Sequence, residues 1–250
     1  MTLLDLLILL PVAFLTSVVS VVTGATSLIT VPVMLLLGMS APEAIASNMV
    51  ALTALSLGAS MQYHKGGEIQ PERLKTLTVL TLLGSLLGAL MVGWLPVKAL
   101  KGVVVGAMLL MAVVVLRPIR TTQVQYRPQV GHPLTFLLGV YGGLFSGGYV
   151  TLLTVVFQHT LGFSLREAVA STKWMNVCSS LVAVVVFTLQ EQVVWPIALL
   201  MAVTMFFGAR AGVVWTRGWS EATLRRVFTF AVLLLAARAL VMDVPWAEMF

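Results

Sequence analysis

The sequence predicts an all-α polytopic membrane protein made of two inverted repeats, each a broken or re-entrant helical hairpin followed by three transmembrane helices. Three observations carry that expectation: a composition unsuited to water, an internal duplication, and a Gly-rich break that recurs in each half. Of the 250 residues, 59% are hydrophobic and 10% charged, and the mean hydropathy is +1.02. Soluble domains run at about 45–50% apolar and about 25% charged. This chain therefore lacks the polar groups to cover a surface in water. Its apolar segments take up nearly the whole length, which leaves no room for a soluble domain.

The first span covers residues 3–22. It has no basic n-region, carries Asp5 and runs on into further apolar sequence without a small-residue cleavage site, so it reads as a retained span and not a signal peptide. It breaks at Thr23-Gly24-Ala25-Thr26-Ser27, and a short apolar run over residues 28–37 follows. Spans over residues 44–63, 74–94 and 97–116 come next, each long enough for about 30 Å of hydrocarbon. A polar connector with Arg117, Arg120, Arg127, Pro118 and Pro128 ends near His132. The order then repeats: residues 133–145, a break at Ser146-Gly147-Gly148, a short run to Phe157, and spans over 168–189, 193–215 and 224–242.

The second half echoes the first residue by residue. Pro11 and Phe14 match Pro133 and Phe136, and Glu43-Ala44-Ile45-Ala46-Ser47 matches Glu167-Ala168-Val169-Ala170-Ser171. Gly84 and Gly88 match Gly208 and Gly212, and Leu109-Leu110 matches Leu233-Leu234. One two-residue insertion, expected between the break and the Glu-Ala motif, brings these matches into a single order. Ordered matches of this kind favour duplication over chance. They divide the chain into a first transmembrane repeat (1–117), a basic cytoplasmic connector (118–131) and a second transmembrane repeat (132–250).

Loop charge sets orientation, because Lys and Arg favour the cytoplasmic side. The basic loops are residues 64–75 (Lys65, Arg73, Lys75), 117–127 and 217–226. The acidic or uncharged ones are the loop before Glu43, the turn at Glu191 and the tail with Asp243 and Glu248. If each broken segment enters and returns, all three basic loops share one face, with Lys98 and Lys101 the exception. The repeats are then inverted, with both termini periplasmic in a cell inner membrane. If each segment crosses once, Arg217, Arg225 and Arg226 move outside, so the charges favour the first arrangement. The net charge of +6 fits such loops, and no basic cluster with interleaved aromatics marks a nucleic-acid binder. Cys178 is the single cysteine; it excludes an intrachain disulfide and reads as a buried apolar residue.

No catalytic constellation emerges. HExxH, GxSxG and P-loop patterns are absent, and His64, His132 and His159 stand in separate loops without metal-ligand spacing. No enzyme activity, metal or cofactor is expected. A transporter needs less. Backbone in hydrocarbon has to be hydrogen-bonded, so helices break only where they are buried or line a cavity. Their N–H ends and dipoles favour an anion, and breaks at corresponding places in two halves point to a transporter binding site. Gly24, Thr26 and Ser27 in the first break and Ser146, Gly147 and Gly148 in the second are the first candidates. A tight turn between packed helices is the plainer alternative; recurrence at matching positions favours a site.

The helix after each break adds Ser47 and Asn48 in half one and Ser171, Thr172, Lys173 and Asn176 in half two. Thr172 and Asn176 share a helical face at i and i+4. A cation at membrane depth such as Lys173 is a functional expectation. The alternative is that it snorkels toward Arg166 and Glu167. Its counterpart in half one is Met49. Arg210, between Gly208 and Gly212, is either buried by close packing with a partner or an anion, or snorkels toward Arg217.

These residues resemble the TauE/SafE sulfite-exporter family of membrane permeases. Its members look like duplicated units, each opening with a Gly-rich segment near GGG…xxPxL and a Gly-(Leu/Met)-x-x-x-x-Ala-x-(Ala/Gly)-(Ser/Thr) helix start. Here TGATSLITVPVMLLLGMSAPEAIASN and GGLFSGGYVTLLTVVFQHTLGFSLREAVASTK stand in those places, and GSLLGAL and GARAGVV match a later GALLGA-like helix. The triple glycine is reduced to Gly24 and to Gly147-Gly148, and the proline, kept as Pro32, is replaced by Thr154. The resemblance implies a secondary transporter for a small anion, such as sulfite or a sulfonate, bound near the midplane between the repeats. A small anionic substrate and the lipid bilayer are the expected partners, and a homo-oligomer is left open. An anion channel and a non-transporting assembly subunit are the rival readings. If one half dominates anion binding, the second, with Ser146, the glycine pair and Lys173, is favoured.

Overall fold

A computed structural model describes residues 3–24, 26–100 and 126–220, with isolated positions beyond them. These residues form helices α1 (Leu3–Thr23), α2 (Ser27–Leu36), α3 (Ala41–Lys65) and α4 (Pro71–Val92), then α5 (Pro128–Leu144), α6 (Tyr149–Leu161), α7 (Leu165–Leu189) and α8 (Trp195–Thr216). α1, α3, α4, α7 and α8 are long and apolar enough to cross a membrane, whereas α2 and α6 are shorter apolar helices. The chain is a multi-pass helical membrane protein. The third long span expected in each half, residues 97–116 and 224–242, lies largely outside the described residues. α5 begins five residues ahead of the expected span, at Pro128, because proline suits the first helical turn and the Arg127 N–H is taken by the Thr160 carbonyl at 2.7 Å. The last residues of the expected connector are therefore helical.

Local chemistry sets the boundaries. The Glu of each Glu-Ala motif closes a capping box. Ser40 and Glu43 cap α3 reciprocally, and Ser164 and Glu167 cap α7 in the same way. Each break turns at a glycine in the left-handed region, Gly24 at φ 68° and Gly148 at φ 78°, a conformation that costs glycine little. Gly24 and Gly148, Ser40 and Ser164, and Glu43 and Glu167 all stand 124 residues apart. The insertion expected after the break thus falls inside the second break, ahead of Gly148. With that register Thr154 stands opposite Thr30, not opposite Pro32.

The helices pack with the halves exchanged. α4 lies on α5 and α1 on α8, the same contact with the repeats swapped, and α3 on α8 likewise mirrors α7 on α4. Four glycines at matched positions set close approaches. A Cβ on Gly84 would stand 2.4 Å from the Phe136 carbonyl oxygen, and one on Gly88 1.9 Å from that of Val140. In the other half a Cβ on Gly208 would stand 3.0 Å from the Phe14 carbonyl oxygen, and one on Gly212 2.4 Å from that of Val18. Phe14 and Phe136 are matched residues, so each Gly-x-x-x-Gly meets the same two carbonyls of the opposite half. Small residues let helices associate in lipid, where the hydrophobic effect does not drive them together.

Several cations cap helix ends at one end of the bundle. Arg217 donates to the Gln62 carbonyl at the end of α3, at 2.9 Å. Arg166 reaches the carbonyls of Arg217 and Trp219 just past α8, at 3.3 and 3.0 Å. Arg73 donates to the Leu161 carbonyl at the end of α6, at 2.9 Å. The ends of α3, α6 and α8 and the starts of α4, α5 and α7 therefore lie together. At the opposite end, Gly93 after α4 sits against Gln190 after α7.

Overpacking a tight contact costs about 1–3 kcal/mol. Gly88→Ala and Gly212→Ala are each expected to lower the thermal midpoint of the detergent-purified protein by several degrees. Gly218→Ala, where a Cβ meets nothing within 4 Å, should leave it unchanged. Three equal midpoints would contradict the close approach.

Candidate functional site at the paired helix breaks

The two breaks meet tip to tip. A Cβ on Gly24 would stand 2.6 Å from Val150 Cβ and 3.1 Å from the Thr151 nitrogen, and one on Gly147 would stand 2.8 Å from Leu28 Cδ2. The N-termini of α2 and α6 thus face each other inside the protein. Each carries roughly half a positive charge from its helix dipole, and both sit among buried hydroxyl and amide side chains.

Each short helix is tied to the long helix that follows it. In half one, Thr30 donates to Asn48 Oδ1 at 2.7 Å, and Asn48 Nδ2 donates to Ser27 Oγ at 2.9 Å. In half two, the matching residues Thr154 and Thr172 share a hydrogen bond of 3.1 Å. Asn176 then ties the halves together. Its Oδ1 accepts from Ser146 Oγ at 3.0 Å, and its Nδ2 donates to Ser56 Oγ of α3 at 2.6 Å. Thr26 donates to Ser20 Oγ across the first break, and the Tyr141 hydroxyl donates to the Gly147 carbonyl across the second.

Lys173 is 1% exposed, and among the described residues it is the one charged side chain in the buried set. Its Nζ donates to the Ser20 carbonyl at 2.5 Å, an oxygen that also accepts the Gly24 N–H at 2.8 Å. The ammonium therefore answers the carbonyl end of α1, where the helix dipole is negative. It runs inward to the first break and not outward to Arg166 and Glu167.

The repeat-equivalent serines differ. Ser47 Oγ accepts the Val194 N–H at 3.0 Å, whereas the buried Ser171 Oγ has no partner among the described residues. Arg210 stays outside the polar network. Its guanidinium lies 5.5 Å from the Phe206 ring centroid on its own helix, and its stem passes beside Gly58 of α3. The flanking glycines approach α1, so they do not enclose the guanidinium.

The structure adds Ser20, Thr30, Ser56 and Thr154 to the polar network. Ser56 follows Asn48 by eight residues on one face of α3, and Thr30 follows Ser27 by three on α2. Helical spacing carries both signals, but a hydroxyl in an apolar run has many fates. Among the described residues, no three His, Cys, Asp or Glu side chains converge as a metal site needs.

Fold and site define a helical membrane protein whose polar centre lies where paired helix breaks meet. The chain belongs to the sulfite exporter TauE/SafE family, whose sequence pattern matches residues 9–239. It is accordingly a membrane transporter. It is 27% identical over 250 residues to the "Probable membrane transporter protein" of Haemophilus influenzae, with 97% of each chain covered. It is 26% identical over 206 residues to the "Probable membrane transporter protein YfcA" of Escherichia coli K12, covering 80% of this chain and 77% of that one. A further relative, "Probable membrane transporter protein ORF9" of a Sinorhizobium species, is 26% identical over 235 residues, covering 91% of this chain and 89% of that one. No solved structure matches the chain significantly.

Removing one partner from a buried hydrogen bond costs about 1–3 kcal/mol for each group left unsatisfied. Asn176→Leu strips both Ser146 and Ser56 of their partner, so its thermal midpoint is expected to fall by several degrees. Arg210→Gln is expected to change the midpoint by much less. A larger loss in Arg210→Gln than in Asn176→Leu would show that the network is misassigned.

Proposed function

We propose that the chain is a secondary transporter that moves a small oxyanion across the cell inner membrane, with sulfite, sulfonates and related sulfur-containing anions as the substrate class. The anion binds between the repeats, near mid-depth. One observation carries this reading: the N-termini of α2 and α6 converge beside the buried ammonium of Lys173. A buried cation is costly without compensation. An anion bound there compensates it, the two helix dipoles add to the attraction, and the Ser27 hydroxyl, which accepts from Asn48 and keeps its own proton, adds a donor. The family's name, sulfite exporter, supplies the substrate class.

We read the two repeats as inverted. In support, α3 and α7 are the matching helices of the two halves, and the end of α3 lies with the start of α7 at one end of the bundle through Arg217 and Arg166. Lys65, Arg73, Arg166 and Arg217 gather at or next to that end; we read it by the positive-inside rule as the cytoplasmic end, a reading under which both termini are periplasmic. Export of an anion is then driven by an inside-negative potential, at about 2.3 kcal/mol per charge per 100 mV.

The test uses purified protein in liposomes with an imposed potential and a sulfite readout, paired with thermal shift. Sulfite is expected to raise the midpoint of the wild type and to leave through it at a voltage-dependent rate. Lys173→Ala should abolish the shift and cut flux about tenfold or more, the loss expected for a charged hydrogen bond. Equal stabilisation of both proteins by every anion tried would remove the site. A flux indifferent to voltage would rule out electrogenic exit.

A further inference from the structure

α3 and α4 leave their shared turn and diverge, with α7 packed against both. The wedge between them holds a groove of about 660 Å³. Its walls are the apolar faces of α3 and α4, with Leu57 and Met61 on one side and Leu74 and Val79 on the other, and Trp174 of α7 lines it too. The Trp174 indole N–H is satisfied by Thr78 Oγ1 at 3.2 Å. Ser60 also lines the groove; it is 4% exposed, and its hydroxyl has no hydrogen-bond partner among the described residues. His64 and Lys75 stand at the mouth, where α3 ends and α4 begins.

The order of these groups along α3 is informative. His64, Ser60 and Leu57 lie on one face at successive turns, so the chemistry runs from cationic or hydrogen-bonding, through an orphan hydroxyl about 6 Å deeper, to purely apolar. A glycerophospholipid presents the same order: phosphate, ester carbonyl, acyl chain. Lys75 pairs with Glu72 at 2.7 Å, but both side chains are largely exposed, and such pairs are weak. Arg73 is engaged elsewhere, on the Leu161 carbonyl and the Phe163 ring. The mouth opens at the end of the bundle where basic side chains gather, so a negatively charged headgroup suits it.

We propose that this groove is a binding site for one anionic phospholipid, its phosphate at His64 and Lys75, an ester carbonyl accepting from Ser60, and an acyl chain filling the wedge down to Leu57. The site is separate from the helix breaks and does not depend on the transport reading.

Trp174 reports occupancy. The protein is reconstituted into vesicles containing phosphatidylglycerol or phosphatidylcholine brominated on the acyl chains, and the Trp174 signal is taken as the difference between wild type and Trp174→Phe. Brominated phosphatidylglycerol is expected to quench Trp174 at about fivefold lower mole fraction than phosphatidylcholine, the preference that one lysine confers. Lys75→Gln, a change at an exposed side chain, is expected to remove that preference. Quenching with no headgroup preference in the wild type would make the groove an ordinary lipid-facing surface and overturn the proposal. A Trp174 signal that neither lipid reaches, as a second copy seated in the groove would produce, overturns it as well.

Discussion

Hydrocarbon offers no hydrogen bonds, so every helix end inside this bundle has to be answered by another part of the chain. The carbonyl end of α1 is the clearest case. Its Ser20 carbonyl takes the Gly24 N–H and also the ammonium of Lys173, which arrives from the other half of the molecule. Near the basic end the same rule places guanidinium groups on carbonyls at or just past the ends of α3, α6 and α8. These cations are positioned by helix dipoles and carbonyl oxygens, with the Glu43 and Glu167 carboxylates held in capping boxes. Where the helices restart, hydroxyls and the amides of Asn48 and Asn176 gather around the N-termini of α2 and α6, beside the Lys173 ammonium.

The rest of the architecture holds that polar centre together. Gly84, Gly88, Gly208 and Gly212 bring each half's fourth helix onto the first helix of the other half, backbone against backbone. These contacts leave no room for a side chain at the glycines. At the breaks the ties are side-chain hydrogen bonds: Thr30 to Asn48 and Thr154 to Thr172 within each half, and Asn176 to both Ser146 and Ser56 between the halves.

The duplication is symmetric in packing and asymmetric in chemistry. The capping boxes, the left-handed glycines and the Gly-x-x-x-Gly contacts recur with the halves exchanged. At the breaks the halves part. Met49 stands where half two has Lys173, Asn48 where it has Thr172, and Ser47 accepts the Val194 N–H at the start of α8, while Ser171 has no partner among the described residues. One copy supplies the charge, and the other receives it at the end of α1.

What the sequence by itself determined was local. Apolar runs marked the spans α1, α3, α4, α7 and α8 to within a few residues. Gly24 and Gly148 marked the turns, and Glu43 and Glu167 marked helix starts whose capping serines were already three residues upstream. The duplication was equally legible, because matched residues keep their order whatever they touch. The partner of each buried polar group was not legible. Helical spacing says which face Lys173 occupies but not that Ser20, 153 residues away, supplies the oxygen it meets. It does not say that Ser56 completes the bonds of Asn176, that Arg210 lies over Phe206, or that the insertion falls inside the second break. Those facts depend on which helix lies across from which. That is decided by where the glycines let backbones approach, a property of helix pairs that no single helix carries.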